Sequence, residues 1–446
     1  MFNVKDYGAI GDGVTENAAA IQKAIDACHE AGGGEVVFPS GNVFLTGPFN
    51  FKSFVNIKVE ANAVIKASLD ESLYTESAFR ENCSEGSIWI GGKNCKQIGI
   101  NGSGVIDGQG TMFMLNEEKT HFNYKFENNI DMRPHLLTLE ACQNITIRDV
   151  TFKDSAYWCI HPIGCKDIVI SGVRILNSLK VRNCDGIDPD HCKNVRISDC
   201  FIVSADDCIC PKTRREFEEY GITENITVTG CTLVSTSCAI KIGSENVSGI
   251  KNVIFSSIII RNSNRALGIQ NRDEGFVENI QFNDIFIDSR LFADVWWGKA
   301  EPIYVTAYKR DKESLRRFKK DKQFPQIGKV KDVFFNNVIC DSENGVFVAA
   351  EELGLVQNIY FENIKIKIHK KSKYSPGTYD RRPCGVEGII SHKVSGFYLD
   401  KTEDVSINNC QVIWDTPSID DVKMKIANYD NKQLVINNCY EIFKED

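Results

Sequence analysis

Two short acidic clusters stand out by residue type and spacing. Asn183-Cys184-Asp185-Gly186-Ile187-Asp188 is followed by Ala205-Asp206-Asp207-Cys208, with 21 residues from Asp185 to Asp206. Carboxyl groups do proton work. A protonated one supplies a proton to a leaving group, and an ionised one takes a proton from water. Held close together they repel and shift each other's proton affinity, a cost that is carried where the charge has a use. Asp185, Asp206 and Asp207 therefore form a candidate catalytic set. Asp188 fits either that set or a structural turn. In an ideal strand Asp206 and Asp207 point to opposite faces. For both to serve one groove, the backbone must bend or bulge between them.

The elements that position these acids come from a repeat. Asn or Asp is followed by alternating apolar residues, as in Asn144-Ile145-Thr146-Ile147 and Asp167-Ile168-Val169-Ile170. The same pattern starts at Asn194, Asn225, Asn252, Asn279, Asp332, Asn358 and Asp404. Steps run from 23 residues (Asn144 to Asp167) to 31 (Asn194 to Asn225) through Asn279; later steps are 53 (to Asp332) and 46 (Asn358 to Asp404). Each long step hides either an unrecognised coil or an insertion. The period of two inside each unit is that of a strand, and a repeat of this length signals a solenoid or a related array. The pattern predicts an all-β chain, a single-stranded right-handed parallel β-helix. Asn and Asp at its turns can hydrogen-bond along the stack. On this reading the acidic clusters lie on neighbouring rungs of one face, about 4.8 Å apart.

One domain over 1–446 is expected, because solenoids grow by adding rungs. Residues 1–50 would hold the N-terminal cap and first coils. The run Asn17 to Cys28 predicts an amphipathic capping helix, started near Asp12, Thr15 or Glu16 and ended by Gly32-Gly33-Gly34. Residues 290–330 and 370–401 would be long loops beside the groove. The basic stretch Tyr308 to Lys329 suits a solvated loop, or one bordering a site for an anionic ligand.

Composition excludes some classes. The net charge of −8 argues against a nucleic-acid partner. No tract has the roughly 18 apolar residues of a membrane span. The N-terminus, Met1 to Tyr7, reads as a strand and not a secretion signal. The 17 cysteines show no zinc spacing. Cys142, Cys165, Cys200, Cys231, Cys340 and Cys410 fall inside the repeats and read as small buried hydrophobes. Such usage fits a reducing cytoplasm.

At these residues the chain resembles glycoside hydrolase family 28, the polygalacturonase-like pectin hydrolases, as a divergent bacterial-type member. The resemblance covers most of the chain. Phe2 to Cys28 also looks like the N-terminal cap of pectin-active β-helices. The family's Asn-Thr-Asp-Gly stands here as Asn183-Cys184-Asp185-Gly186, and its Asp-Asp-Cys as Asp206-Asp207-Cys208. Its Gly-His-Gly ahead of Ser-Ile-Gly-Ser corresponds to Ser237 through Ser244, with Cys238 in place of the histidine. Its Arg-Ile-Lys corresponds to Gly268-Ile269-Gln270, with Arg272 two positions further on. The resemblance implies Asp207 as general acid, with Asp185 and Asp206 holding and deprotonating water. It also implies that the Arg-Ile-Lys cations bind a substrate carboxylate. Gln270 cannot form that ion pair. Arg272 shares a strand face with Gln270 and could grip a carboxylate bidentately.

The resemblance implies an inverting glycoside hydrolase acting on acidic pectic oligosaccharides, and the long insertions favour exo action. Its two carboxyl groups would stand about 6.5–9.5 Å apart. Asn183, Lys212, Gln270, Arg272, His161, Trp297 and Glu301 are the candidate substrate contacts. Trp296 to Pro302 suits sugar stacking, or an apolar plug under a loop. His161 suits a substrate contact or a structural role, and His191 a turn. No cofactor or metal is expected, and the oligomeric state stays open. A rhamnogalacturonan-type or other non-uronate hydrolase is one alternative. A calcium-assisted β-helix lyase is another, although the sequence puts no evident base beside the acids. A non-catalytic carbohydrate-binding β-helix is the third.

Overall fold

The computed structural model describes residues 1–80, 85–114, 131–293, 296–311, 326–415 and 423–443. The chain forms two compact units, Met1–Asp206 and Asp207–Asp446. Both are built from parallel coils, and the architecture is the predicted right-handed parallel β-helix.

In the first unit, Gly34–Phe38, Val55–Val59, Lys96–Asn101, Gln143–Arg148, Lys166–Ser171 and Lys193–Ser198 pair in turn, all parallel. Their inward positions repeat one shape. Ile57, Ile100, Ile147, Ile170 and Ile197 are each almost fully buried. A second face stacks Phe49–Asn50, Glu85–Lys93, Asp131–Glu140 and Ile160–Ile163. Gly186 to Asp190 extends it as one more rung. Ile187 bridges Ile160, Asp190 bridges Ile163, and the Cys159 and Ile160 N–H groups donate to Asp185 and Gly186.

In the second unit the long strands Ile250–Ser263, Val277–Ser289, Val330–Ser342 and Val356–Ile368 pair in sequence. Phe255, Phe282, Phe335 and Phe361 stack through the interior with ring centroids 4.9–5.2 Å apart. Such pairs contribute about 0.5–1.5 kcal/mol each beyond burial. The other face stacks Cys238–Ser244, Arg265–Asn271, Ile303–Ala307, Val346–Ala350, Val394–Asp400 and Lys423–Tyr429.

The repeated Asn or Asp has a defined task. Asn144, Asp167, Asn194, Asn225, Asn252, Asn279, Asp332, Asn358 and Asp404 all have φ between 53° and 61°. This left-handed corner is one that Asn and Asp adopt more readily than other side chains. Their amides then bond along the stack: Asn194 to Asp167 at 3.0 Å, Asn252 to Asn225 at 3.1 Å, Asn279 to Asn252 at 3.2 Å and Asn358 to Asp332 at 2.8 Å. The two long steps are insertions and not missed coils. Ile280 pairs directly with Val333, and Ile359 with Val405.

The N-terminal helix is present as Ala18–Glu30, burying Ile21, Ala24, Ile25 and Cys28. Of the three predicted starters, Glu16 receives the Ala18 N–H at 2.9 Å. Asp12 caps its own turn through Val14 and Thr15. Every described cysteine is a free thiol, and all but Cys439 are buried. The Cys95 N–H points to Cys142 Sγ and the Cys142 N–H to Cys165 Sγ, each at 3.3 Å. Among the described residues, no helix is long and apolar enough to cross a membrane. Of the basic stretch Tyr308 to Lys329, residues 312–325 lie outside the described residues.

Candidate active site

The first unit brings Asp185 and Asp206 together. Asn183 takes the left-handed conformation, φ 56°, which turns the chain so that its N–H donates to Asp206 Oδ2 at 3.3 Å. Cys184 fastens the turn from below. Its Sγ accepts the Ala205 N–H at 3.3 Å, and its carbonyl accepts the Ser204 hydroxyl. Cys184 packs with Met114, Val181 and Ala205, and burial pushes its thiol up to about 12. It is a fastener and not a nucleophile. A carboxylate oxygen of Asp185 and one of Asp206 lie within 4.8 Å of each other. Both residues are buried. Two acceptors at this spacing can share one water, since each hydrogen bond spans about 2.7–2.8 Å.

The expected bend is present. The chain leaves the strand Phe201–Ser204, bends at Ala205 and Asp206, and rejoins a rung where Ile209 bridges Ile240. In the second unit Asp207 is 1% exposed. Its Oδ2 accepts from Lys241 Nζ at 2.8 Å, and among the described residues its buried Oδ1 has no partner. Lys241 is a base beside Asp207, where the sequence puts none in evidence. Lys241 stands where the family motif quoted above has its first serine. That misfit, directly before the matching Ile242-Gly243-Ser244, is the signal that could have found it.

Cys238, in place of the family's histidine, sits one rung below Arg265. Its Sγ donates to the Ile240 carbonyl at 3.0 Å. Burial, and then the charge of Asp207, push its thiol well up. Lys212 is 2% exposed and acts on Glu245. Burial would raise the Glu245 carboxyl, but Lys212, Arg310, Arg214 and Lys241 hold it well below the usual range.

Gln270 and Arg272 do share one side, as expected, but they spend it on a loop. Gln270 donates to the Arg382 carbonyl at 2.5 Å. Arg272 reaches the carbonyls of Pro383 (2.7 Å), Arg381 (2.8 Å) and Asn271 (2.9 Å), the Thr306 hydroxyl (2.9 Å) and the Tyr304 hydroxyl (3.1 Å). A guanidinium has five N–H donors, and all five are occupied here. Arg272 therefore clamps a loop and does not present a free fork to a carboxylate.

Trp297 is 36% exposed, with the Arg382 guanidinium 5.1 Å from its ring centre. That suits a stacking face. Glu301 is placed elsewhere. It is fully buried and accepts from Arg265 at 3.2 and 3.3 Å, from the Lys299 N–H at 2.7 Å and from the Asp380 N–H at 3.4 Å. Its oxygens serve the interior and not a sugar hydroxyl. In the first unit His161 is buried, with Nε2 3.3 Å from Asp190 Oδ2, and packs edge-on to Trp158 at 4.7 Å. His191 has φ 53° and is a turn residue.

A family model, Glycosyl hydrolases family 28, matches residues 28–292. A probable polygalacturonase from Vitis vinifera is 31% identical over 311 residues, covering 66% of this chain but only 61% of that protein. An endo-polygalacturonase from Pectobacterium carotovorum subsp. carotovorum is 22% identical over 364 residues, covering 78% of this chain and 83% of that one. The family 28 exopolygalacturonase of Yersinia enterocolitica superposes with a TM-score of 0.74 at 18% identity, over 97% of this chain and 77% of that one. An exopolygalacturonase from Thermotoga maritima gives 0.64 at 20%, over 98% and 91%. These two structures share the fold.

Proposed function

This chain belongs to the family 28 glycosyl hydrolases, and on that premise we propose that it cleaves α-glycosidic bonds of galacturonate-containing oligosaccharides with inversion. Asp207 donates a proton to the departing glycosidic oxygen. Asp185 and Asp206 hold one water and take its proton as it attacks the sugar carbon. The observation that carries the reading is the buried pair Asp185 and Asp206 within 4.8 Å. Two ionisable acids held this closely away from water are costly, and a shared water is the use that fits them. Trp297 supplies a stacking face. The insertions after Ser289 and after Ile368 supply chain that can close a groove end, which supports exo action.

Asp207→Asn tests the roles. It should lower kcat on pectic oligosaccharides by at least about a thousandfold, while the affinity for an oligogalacturonide, measured by calorimetry, stays within a few fold. NMR of the wild-type reaction should show the β-anomer forming first from an α-linked substrate. Retained turnover in Asp207→Asn, or a first-formed α-anomer, would reject the assignment.

A further inference from the structure

Lys241 stands on the strand Cys238–Ser244 with its ammonium 2.8 Å from Asp207. Asp207 is almost wholly buried, whereas 19% of the Lys241 side chain is exposed. The next rung at its register is Gly268, which has no side chain to fix the lysine stem, and beyond it the buried Tyr304. Three other cations of this unit are engaged. Arg272 has all five donors on protein oxygens. Arg265 pairs with Glu301, and Arg310 with Asp273 at 2.8 Å. Lys241 also acts on Glu245 and on Cys238, but its 2.8 Å contact is to Asp207.

The pair poses a chemical problem. A residue that donates a proton to a leaving group must meet that group directly, and here Lys241 Nζ stands on its Oδ2 at 2.8 Å. The pair also has a release. A lysine is a compact charge on a flexible four-carbon stem, so a second carboxylate entering beside it can draw it away.

We propose that Lys241 makes this enzyme selective for an ionised uronate: it pairs with Asp207 before substrate binds and exchanges that partner for the substrate's carboxylate. The exchange makes and breaks no covalent bond. Asp207 then takes a proton from solvent and returns it to the leaving glycosidic oxygen, so protons balance over the cycle. A neutral sugar or a methyl-esterified uronate offers no partner, and Lys241 stays on Asp207. This deepens the proposed function and rests on it.

The test compares kcat/KM on a galacturonate oligosaccharide with that on its methyl ester, in the wild type, Lys241→Met and Lys241→Arg. The wild type should favour the free acid. The acid-to-ester ratio should fall by about tenfold or more in Lys241→Met, as expected for losing one charge-assisted contact, and recover largely in Lys241→Arg. A ratio unchanged in Lys241→Met, with both substrates slowed equally, would make the lysine merely structural and overturn the inference. So would a fall that Lys241→Arg fails to restore. A wild type that cleaves esterified but not free galacturonate overturns the inference alone. A wild type that cleaves no galacturonide overturns the proposed function and the inference together.

Discussion

Glu301 and Arg265 form an ion pair withdrawn almost completely from water. The Arg265 guanidinium also lies 3.5 Å from the ring centre of Tyr304. Removing one partner of such a pair leaves the other charge buried alone and typically costs about 3–5 kcal/mol. Glu301→Gln should therefore lower the melting temperature clearly. A substitution that changes KM with no effect on melting would contradict this role. Glu245 makes a different forecast. Its carboxyl is held well below its ordinary value of 4.5, against burial, by Lys212, Arg310, Arg214 and Lys241. A depressed acid contributes stability that is present above the unfolded value and lost as pH falls toward the folded one. Glu245→Gln should destabilise at pH 7 and flatten the loss of melting temperature from pH 5 to pH 3. An unchanged melting profile would count against it. Asp185, Asp206 and Asp207 were legible in the sequence because they sit in two contiguous motifs. Arg272 and Glu301 were not. The groups that occupy them, at Arg381 to Pro383 and at Arg265, lie dozens of residues away.

At the scale of the element, the Asn and Asp corners set the coil. Each has a left-handed backbone, and Asn194, Asn252, Asn279 and Asn358 add a hydrogen bond to the rung before, so that one residue sets both turn and register. Asn279→Ala should cost about 1–2 kcal/mol, from the left-handed strain and the lost bond. Asn279→Gly should cost less, because glycine adopts the corner freely. Equal costs, read from denaturant midpoints, would show that the side-chain ladder alone matters. These corners made the strands from Gln143 onward readable. The earlier rungs, such as Val55–Val59 and Lys96–Asn101, escaped the pattern, which starts only at Asn144. Lys96–Asn101 turns its left-handed corner on Gln97 (φ 52°), a residue the pattern does not contain. The bend at Ala205 and Asp206 was legible for a different reason. Two adjacent acids cannot both face one groove from a straight strand.

At the scale of the whole molecule, the open question is how the substrate enters. If the insertions close one end of the groove, attack proceeds from a chain end. Digestion of a long polygalacturonate should then release monomers or dimers from the outset while viscosity falls slowly. Early appearance of mid-length oligomers, followed by chromatography, would establish internal cleavage instead. The sequence showed that something interrupts the repeat after Asn279 and after Asn358, but not what. Spacing alone cannot distinguish an irregular coil from an excursion, because only pairing partners reveal whether the stack continues underneath.

The stack does continue. Ile280 meets Val333, and Ile359 meets Val405, as neighbours on adjacent rungs. The excursions therefore leave the column and return to the place they left. Doubling the length of such a closed loop costs only about 0.6 kcal/mol. Lineages of this architecture can lengthen, shorten or replace their excursions while the column is inherited intact. A column of this kind superposes with a TM-score of 0.74 on one with which only 18% of its residues agree.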